Sequence, residues 1–106
     1  MSLFRRRRAF MQSLLREANA KQRGVMLDLA DKNQINAISK MVLNIMKQNV
    51  PIKPGTYRKL KRYKNVLHEL RIRNNSVKWQ REHLKRQTEH RFWQELNKCY
   101  AACCAR

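Results

Sequence analysis

The chain has 106 residues, and its 25 Lys and Arg residues against 7 Asp and Glu residues give a formal net charge of +18. A chain of this length forms one small domain with a thin core, since about 60–65% of the unfolded surface is buried at this size. Only 2 Gly and 2 Pro residues are present, which excludes a low-complexity linker and a turn-rich all-β fold. Positive charge in this excess destabilises a compact monomer and indicates a polyanionic partner. Nucleic acid is the usual one, ahead of an acidic protein or membrane surface.

The N-terminal segment, residues 1–18, predicts a basic arm. A run of four arginines is typical of a nucleic-acid-binding arm or a nuclear localisation signal, and we expect a mobile arm at Arg5, Arg6, Arg7 and Arg8. No apolar stretch follows these charges, so no secretory signal is expected. A mitochondrial presequence is the alternative, because the segment is basic and partly amphipathic. Within it, Phe10, Leu14 and Leu15 are spaced for one helical stretch.

Residues 19–88 are predicted to form the helical domain. A short helix is expected after Asn19, and Asp31 is a good N-cap for the next one. That next helix is nearly neutral and apolar on one side, and Pro51 should end it. Its apolar residues recur every three or four positions; they are Ile35, Ile38, Val42, Ile45 and Met46.

A basic helix is predicted after Pro54, which suits a first helical turn. One side carries an apolar stripe of Tyr57, Leu60, Tyr63, Val66, Leu67 and Leu70. The other side is basic, with five bases and no acidic residue from Lys53 to Arg62. An ordinary solvated face mixes both signs of charge, so this face predicts contact with a polyanion. We expect the core to lie in residues 31–70, with Ile38 and Val42 packed against Leu60 and Leu67.

The remaining residues predict two further helices. Ser76 is a candidate cap for a helix with a weak apolar side at Val77 and Leu84, and Trp79 lies off that side as a candidate for stacking on bases. We expect Tyr57 and Tyr63 to pack on the core instead. Residues 89–106 form a helix or tail that carries the cysteines.

The three cysteines and three histidines do not predict a metal site or a catalytic centre. Cys99 and Cys103 lie one helical turn apart, but Cys104 points about 100° away and no CxxC pair exists. Small apolar packing or intermolecular disulfides are the better interpretations. No nucleophile lies at a suitable spacing from a histidine, and no phosphate-binding glycine loop is present. We therefore expect a protein without enzymatic activity, cofactor or metal.

The predicted phosphate surface combines the arm with two basic helices. Contacts to phosphates would be sequence-independent, because the basic residues at the start of the first helix suit phosphates better than base edges. A helix-turn-helix motif that recognises nucleobases in the major groove is the weaker alternative. Besides the four arginines of the arm, the predicted residues are Lys53, Arg58, Lys59, Lys61, Arg62, Lys64, Lys78, Arg81, Lys85 and Arg86.

Residues 12–87 resemble small basic proteins of polinton (Maverick) elements and adintoviruses. The resemblance rests on "MVLNIMKQNVPIKPGTYRKLKRYKNVLHEL" followed by "SVKWQREHL". That family is similar in arrangement to the small core protein of adenoviruses, a DNA-associated virion component. Its members often end in a Gly-rich apolar tail, whereas this chain ends in "EHRFWQELNKCYAACCAR", which puts a membrane-active or capsid-contact role of the tail in doubt.

These observations predict a small all-α bundle of four to five short helices with basic, partly disordered termini. The expected function is sequence-independent nucleic-acid binding, and the resemblance implies a virion core or DNA-condensing protein that occupies the virion and the host nucleus. It favours DNA over RNA and adds capsid proteins as candidate partners; no membrane partner is expected, because no stretch is apolar over about 20 residues. The alternatives are a structural protein of a large ribonucleoprotein, such as an organellar ribosome in the mitochondrion, and a capsid-internal scaffold protein.

Overall fold

Six α-helices and one 3₁₀ turn form the regular structure of residues 6–63 and 76–104, which are the residues that this computed structural model describes. The prediction of an all-α fold is confirmed, and the helix count slightly exceeds the predicted four to five. The elements are α1 (Arg8–Arg16), α2 (Ala20–Leu29), α3 (Lys32–Met46), α4 (Pro54–Leu60), the 3₁₀ turn η1 (Lys61–Tyr63), α5 (Val77–Lys85) and α6 (His90–Cys104).

The helices begin where capping residues satisfy the first free N–H groups. The Asn19 side chain accepts hydrogen bonds from two backbone N–H groups of α2, at 2.9 and 3.1 Å. Asp31 and Gln34 form a reciprocal capping box at α3, with both bonds at 2.8 Å. Ser76 caps α5 at 3.3 Å, and Pro54 is the first residue of α4. All four predicted helix starts are confirmed.

Helix α3 ends at Met46, and a residue in the left-handed conformation follows it before Pro51. Gln48 has a φ of 55°, and the Asn49 N–H donates to the Asn44 carbonyl at 3.0 Å. This is the Schellman arrangement, which satisfies the last helix carbonyls and usually employs glycine. The predicted stop is thus made by the backbone itself, and Pro51 keeps the chain from re-entering the helix.

The core is drawn from the whole described chain. The prediction had confined it to residues 31–70. Helix α6 packs against α1, α3 and α4, while α5 packs against α2 and α3. The apolar side of α3 therefore meets α1, α5 and α6, and Leu60 of α4 lies against α6. Leu67, the other predicted partner, lies outside the described residues. Fully buried side chains at the centre include Ile38, Ile45, Phe92, Trp93 and Leu96.

The described parts of both terminal segments belong to this core. Met11, Leu14 and Leu15 of α1 are buried, and their spacing turns one side of the helix toward α6. Arg8–Arg16 therefore forms the helical stretch predicted from Phe10, Leu14 and Leu15, and this helix packs in the bundle. Likewise the segment predicted to be a helix or tail forms α6, a central helix of the bundle. Two separate apolar stripes, each on a helix of nine or more residues, account for this.

Candidate nucleic-acid interface

The clearest exposed basic region is formed by α4, η1 and the residue before α4. Its five bases all face solvent, and we call this set the α4 basic surface; it consists of Lys53, Arg58, Lys59, Lys61 and Arg62. On the opposite side, Leu60 is buried, whereas Tyr57 and Tyr63 are half-buried. The predicted separation of a basic face from an apolar face is confirmed over these residues. Lys64, also predicted, lies outside the described residues.

Little in the described structure neutralises the α4 basic surface. Lys59 lies 3.5 Å from Glu95 of α6, and the Lys61 ammonium lies 5.4 Å from the centre of the Tyr57 ring. A contact between an exposed cation and an aromatic ring contributes only about 0.5–1 kcal/mol and leaves the positive charge in place. Lys53, Arg58 and Arg62 form no ion pair with a described acidic residue. The surface therefore stays strongly positive.

Apart from Glu95, which pairs with Lys59, the acidic side chains of the described residues form no ion pair with the α4 basic surface. Glu17 accepts from the Asn19 N–H at 3.1 Å, Asp31 caps α3, and Glu89 accepts a hydrogen bond from the Tyr63 hydroxyl. Asp28, Glu82 and Glu95 pair with lysines. Local pairing thus leaves most of the excess positive charge unmatched.

Two bases predicted to contact phosphates on α5 have structural roles instead. Arg81 donates to the carbonyls of Leu27 and Ala30 at 3.0 and 2.6 Å, so it completes the C-terminal end of α2. Lys85 pairs with Asp28 at 2.8 Å and lies 3.8 Å from Glu82. These contacts join α5 to α2, and the structure does not support these two residues as free phosphate ligands.

The other two predicted residues of the α5 region remain available. Lys78 and Arg86 are exposed, and neither forms an ion pair with a described acidic residue. They stand at the two ends of α5, because α5 begins at Val77 and ends at Lys85. The predicted extension of the phosphate surface over α5 is therefore reduced to these two positions.

The arginines at the start of the chain lie at the beginning of α1. Arg6 and Arg8 are exposed, while Arg7 is half-buried and is the N-cap residue. Arg8 also forms a side-chain hydrogen bond with Tyr100 of α6. Burial is the main reason that the pKa of Tyr100 is raised to about 12. Arg5 lies outside the described residues.

The aromatic side chains are used mainly inside the protein. Tyr63 meets Phe92 edge-on at 5.1 Å, and its pKa is raised by burial and then by the hydrogen bond with Glu89. Trp79, the predicted stacking candidate, is half-buried, and its ring is stacked on His83 at 4.6 Å. One face of the Trp79 ring is therefore already covered, which weakens its case as a platform for bases.

Arg23 is a buried cation that the sequence does not distinguish from the surface bases. Its side chain is 2% exposed, lies 4.9 Å from the Trp93 ring and donates to the Glu17 carbonyl. Burial lowers its pKa, against a smaller opposing effect of Glu17. Its contacts join α2 to α6, so it contributes to packing and is not a candidate ligand for an external anion.

The three cysteines lie on the inner side of α6. Cys99, Cys103 and Cys104 are all buried, which agrees with the interpretation as small apolar packing residues. Burial and the nearby Glu95 raise the pKa of Cys99 to about 11, so this thiol is neutral at pH 7. Among the described residues, no three His, Cys, Asp or Glu side chains are grouped as metal ligands would be.

No family model, curated protein or solved structure matches this chain. In the part of the chain that the structure describes, no helix combines the length and apolar character needed to cross a membrane.

Proposed function

We propose that this protein binds nucleic acid through sequence-independent contacts between its exposed lysine and arginine side chains and the backbone phosphates of the nucleic acid. The observation that carries the proposal is the α4 basic surface. Five bases without an intervening acidic residue are turned to solvent, and only Lys59 is ion-paired to a described carboxylate. Cations held this close repel one another, and neutralisation by phosphates with release of counterions relieves that repulsion.

The chemistry of this surface favours contact with the phosphates of the nucleic acid over contact with its nucleobases. Lysine and arginine side chains on an exposed helix neutralise phosphates without reading a sequence. The residues best suited to reading adenine, Asn and Gln, do not occur between Lys53 and Arg62. The proposal therefore includes equal binding to unrelated sequences.

The salt dependence of binding tests the proposal. Affinity of the full chain for two duplexes of unrelated sequence should be measured by fluorescence anisotropy between 50 and 200 mM salt. If six to ten phosphates are contacted, the affinity falls about 10³–10⁵-fold over this range, equally for both duplexes. A nearly flat salt dependence, or a strong preference for one sequence, would contradict it.

A virion core or DNA-condensing role is the finer proposal, and it rests on the resemblance of residues 12–87 alone. Mass spectrometry of purified nucleoprotein from the source of this chain tests it. The proposal expects this chain together with DNA and capsid proteins. Recovery with ribosomal proteins and RNA would overturn it in favour of a ribonucleoprotein component.

A further inference from the structure

Two lysines from different helices converge on one buried carboxylate beside the α4 basic surface. Glu95 of α6 is 2% exposed, and its carboxylate lies 3.5 Å from the Lys59 ammonium and 2.9 Å from the Lys98 ammonium. Both lysine side chains are more than half exposed. The carboxylate therefore lies beneath the two ammonium groups, and an anion approaching from solvent meets the ammonium groups first.

One negative charge cannot neutralise two ammonium groups. Lys59, Lys98 and Glu95 together carry a formal charge of +1, from two ammonium groups and one carboxylate. Glu95 also keeps both ammonium groups close to one point between α4 and α6. Side chains that are already placed lose less conformational entropy when they bind a ligand.

A groove next to this cluster adds a third lysine. The groove separates the segment 51–56 from α6 and has a volume of about 420 Å³. Lys53 and Lys98 line it together with Thr56, while Pro51, Ile52 and Ala102 are among its apolar wall residues. Its lining residues thus include one hydroxyl-bearing and two ammonium-bearing side chains, which are suitable donors to a phosphate oxygen.

We propose that Lys98 of α6, with Lys59 and Lys53, forms a phosphate-binding site at this groove, which extends the α4 basic surface onto the C-terminal helix. The inference rests on the proposed function, because the phosphates are those of the bound nucleic acid. It adds a residue in a segment, 89–106, from which the sequence predicts no ligand. Glu95 holds the lysines in place and does not itself contact the phosphate.

Lysine footprinting tests the site without any amino-acid substitution. The full chain is acetylated with and without a 20-base-pair duplex at 50 mM salt, and modified lysines are identified by mass spectrometry. Lys98, Lys59 and Lys53 should each be protected several-fold by the duplex, and Lys40 of α3, which is exposed and does not line the groove, should not. Equal modification of Lys98 in both samples overturns the inference.

Substitution at the same position gives an independent readout. Lys98→Gln should weaken duplex binding several-fold at 0.1 M salt and lower the salt slope by about one. Lys98→Arg should bind like the parent protein, because it keeps the charge. Lys40→Gln is the matched control, with the same loss of charge, and should change affinity less than twofold.

The outcomes separate the two proposals. If the parent binds with a steep salt dependence but Lys98→Gln behaves like Lys40→Gln, the groove site is wrong and the proposed function stands. If the parent does not bind the duplex at all, the proposed function fails, and the phosphate site fails with it.

Discussion

The α4 basic surface and helix α5 are both rich in bases, yet they use those bases differently. On α4 and η1 the bases face solvent, and only Lys59 is ion-paired to a described acidic residue. On α5, Arg81 and Lys85 are tied to the end of α2 by two hydrogen bonds and an ion pair. A cation density that looks alike in the sequence is thus exposed to solvent in one region and used in packing in the other.

The difference arises from what lies opposite each helix. Helix α4 packs on α6, where Glu95 is a buried acidic residue close to it, whereas α5 packs on α2 and α3. The C-terminal end of α2 offers free carbonyls and Asp28, and these are natural partners for cations. Arg81 and Lys85 are held by such groups, whereas Arg58, Lys61 and Arg62 form no ion pair with a described acidic residue.

The largest expected effect follows from neutralising the α4 basic surface. Arg58→Gln, Lys61→Gln and Arg62→Gln together should weaken duplex binding about 10²–10³-fold at 0.1 M salt, since each lost phosphate contact counts about tenfold. Helix content by circular dichroism should be unchanged or slightly higher, because repulsion between like charges is relieved.

The control for this triple variant lies on α3. Lys32 and Lys40 of α3 and Lys47 directly after it are exposed, and their joint change to Gln removes the same total charge. This control should lose far less affinity. Equal losses in the two triple variants would mean that only net charge matters and that no particular surface binds.

Arg81→Gln should affect stability more than binding. The guanidinium donates to two backbone carbonyls at the end of α2, and charged hydrogen bonds of this type contribute roughly 1.5–3 kcal/mol. We expect a decrease of that size in the free energy of unfolding, measured by urea denaturation. Arg86→Gln, an exposed neighbour, should leave stability unchanged; a larger loss there than at position 81 would contradict the structural role.

Ser39→Ala tests the buried side of α5. The Ser39 hydroxyl of α3 donates to the Gln80 side-chain oxygen at 2.8 Å, and both residues are buried. Loss of this donor should destabilise the fold by about 1–3 kcal/mol. The comparison variant is Ser13→Ala on the exposed side of α1, which should melt like the parent in calorimetry. Equal melting of both variants would show that α5 does not depend on this contact.

Lys85→Gln should have the smallest effect, a slight decrease in melting temperature. The hydrogen bond with Asp28 raises the pKa of Lys85 above its ordinary value of 10.5. Its contribution to stability is therefore fully present below pH 10.5 and is lost as the pH rises through the raised pKa. Melting of the variant and the parent should differ at pH 7 and converge at strongly alkaline pH. Lys78→Gln, on the same helix, should melt like the parent at pH 7, because Lys78 forms no ion pair with a described acidic residue.

Local features of this fold were predictable from the sequence, and contacts between distant segments were not. Asn19, Asp31, Pro54 and Ser76 mark helix starts because a cap needs only a few neighbouring residues. Arg81 offered no such signal: its partners lie 54 and 51 residues away in the chain. The apolar stripe of α3 was visible, but its periodicity does not say which helix it meets.

The residues of the candidate site likewise divide into those that the sequence predicts and those that depend on contacts between distant segments. The exposed bases of α4 follow from the 100° spacing of helical residues and from the apolar stripe at Leu60. Lys98 could not be found, because its place beside Lys59 depends on the packing of α4 against α6 and on a shared Glu95. The buried position of Arg23 depends likewise on Trp93, far away in the sequence.

The most direct test of the contrast between the two regions is the salt slope of duplex binding for three proteins. These are the parent, the α4 variant with Arg58, Lys61 and Arg62 changed to Gln, and the α5 variant with Arg81→Gln and Lys85→Gln. All are measured at a temperature where circular dichroism shows them folded. The structure predicts that the logarithmic slope falls by about three for the α4 variant and by less than one for the α5 variant. Equal reductions in both, or a larger one for the α5 variant, would contradict it.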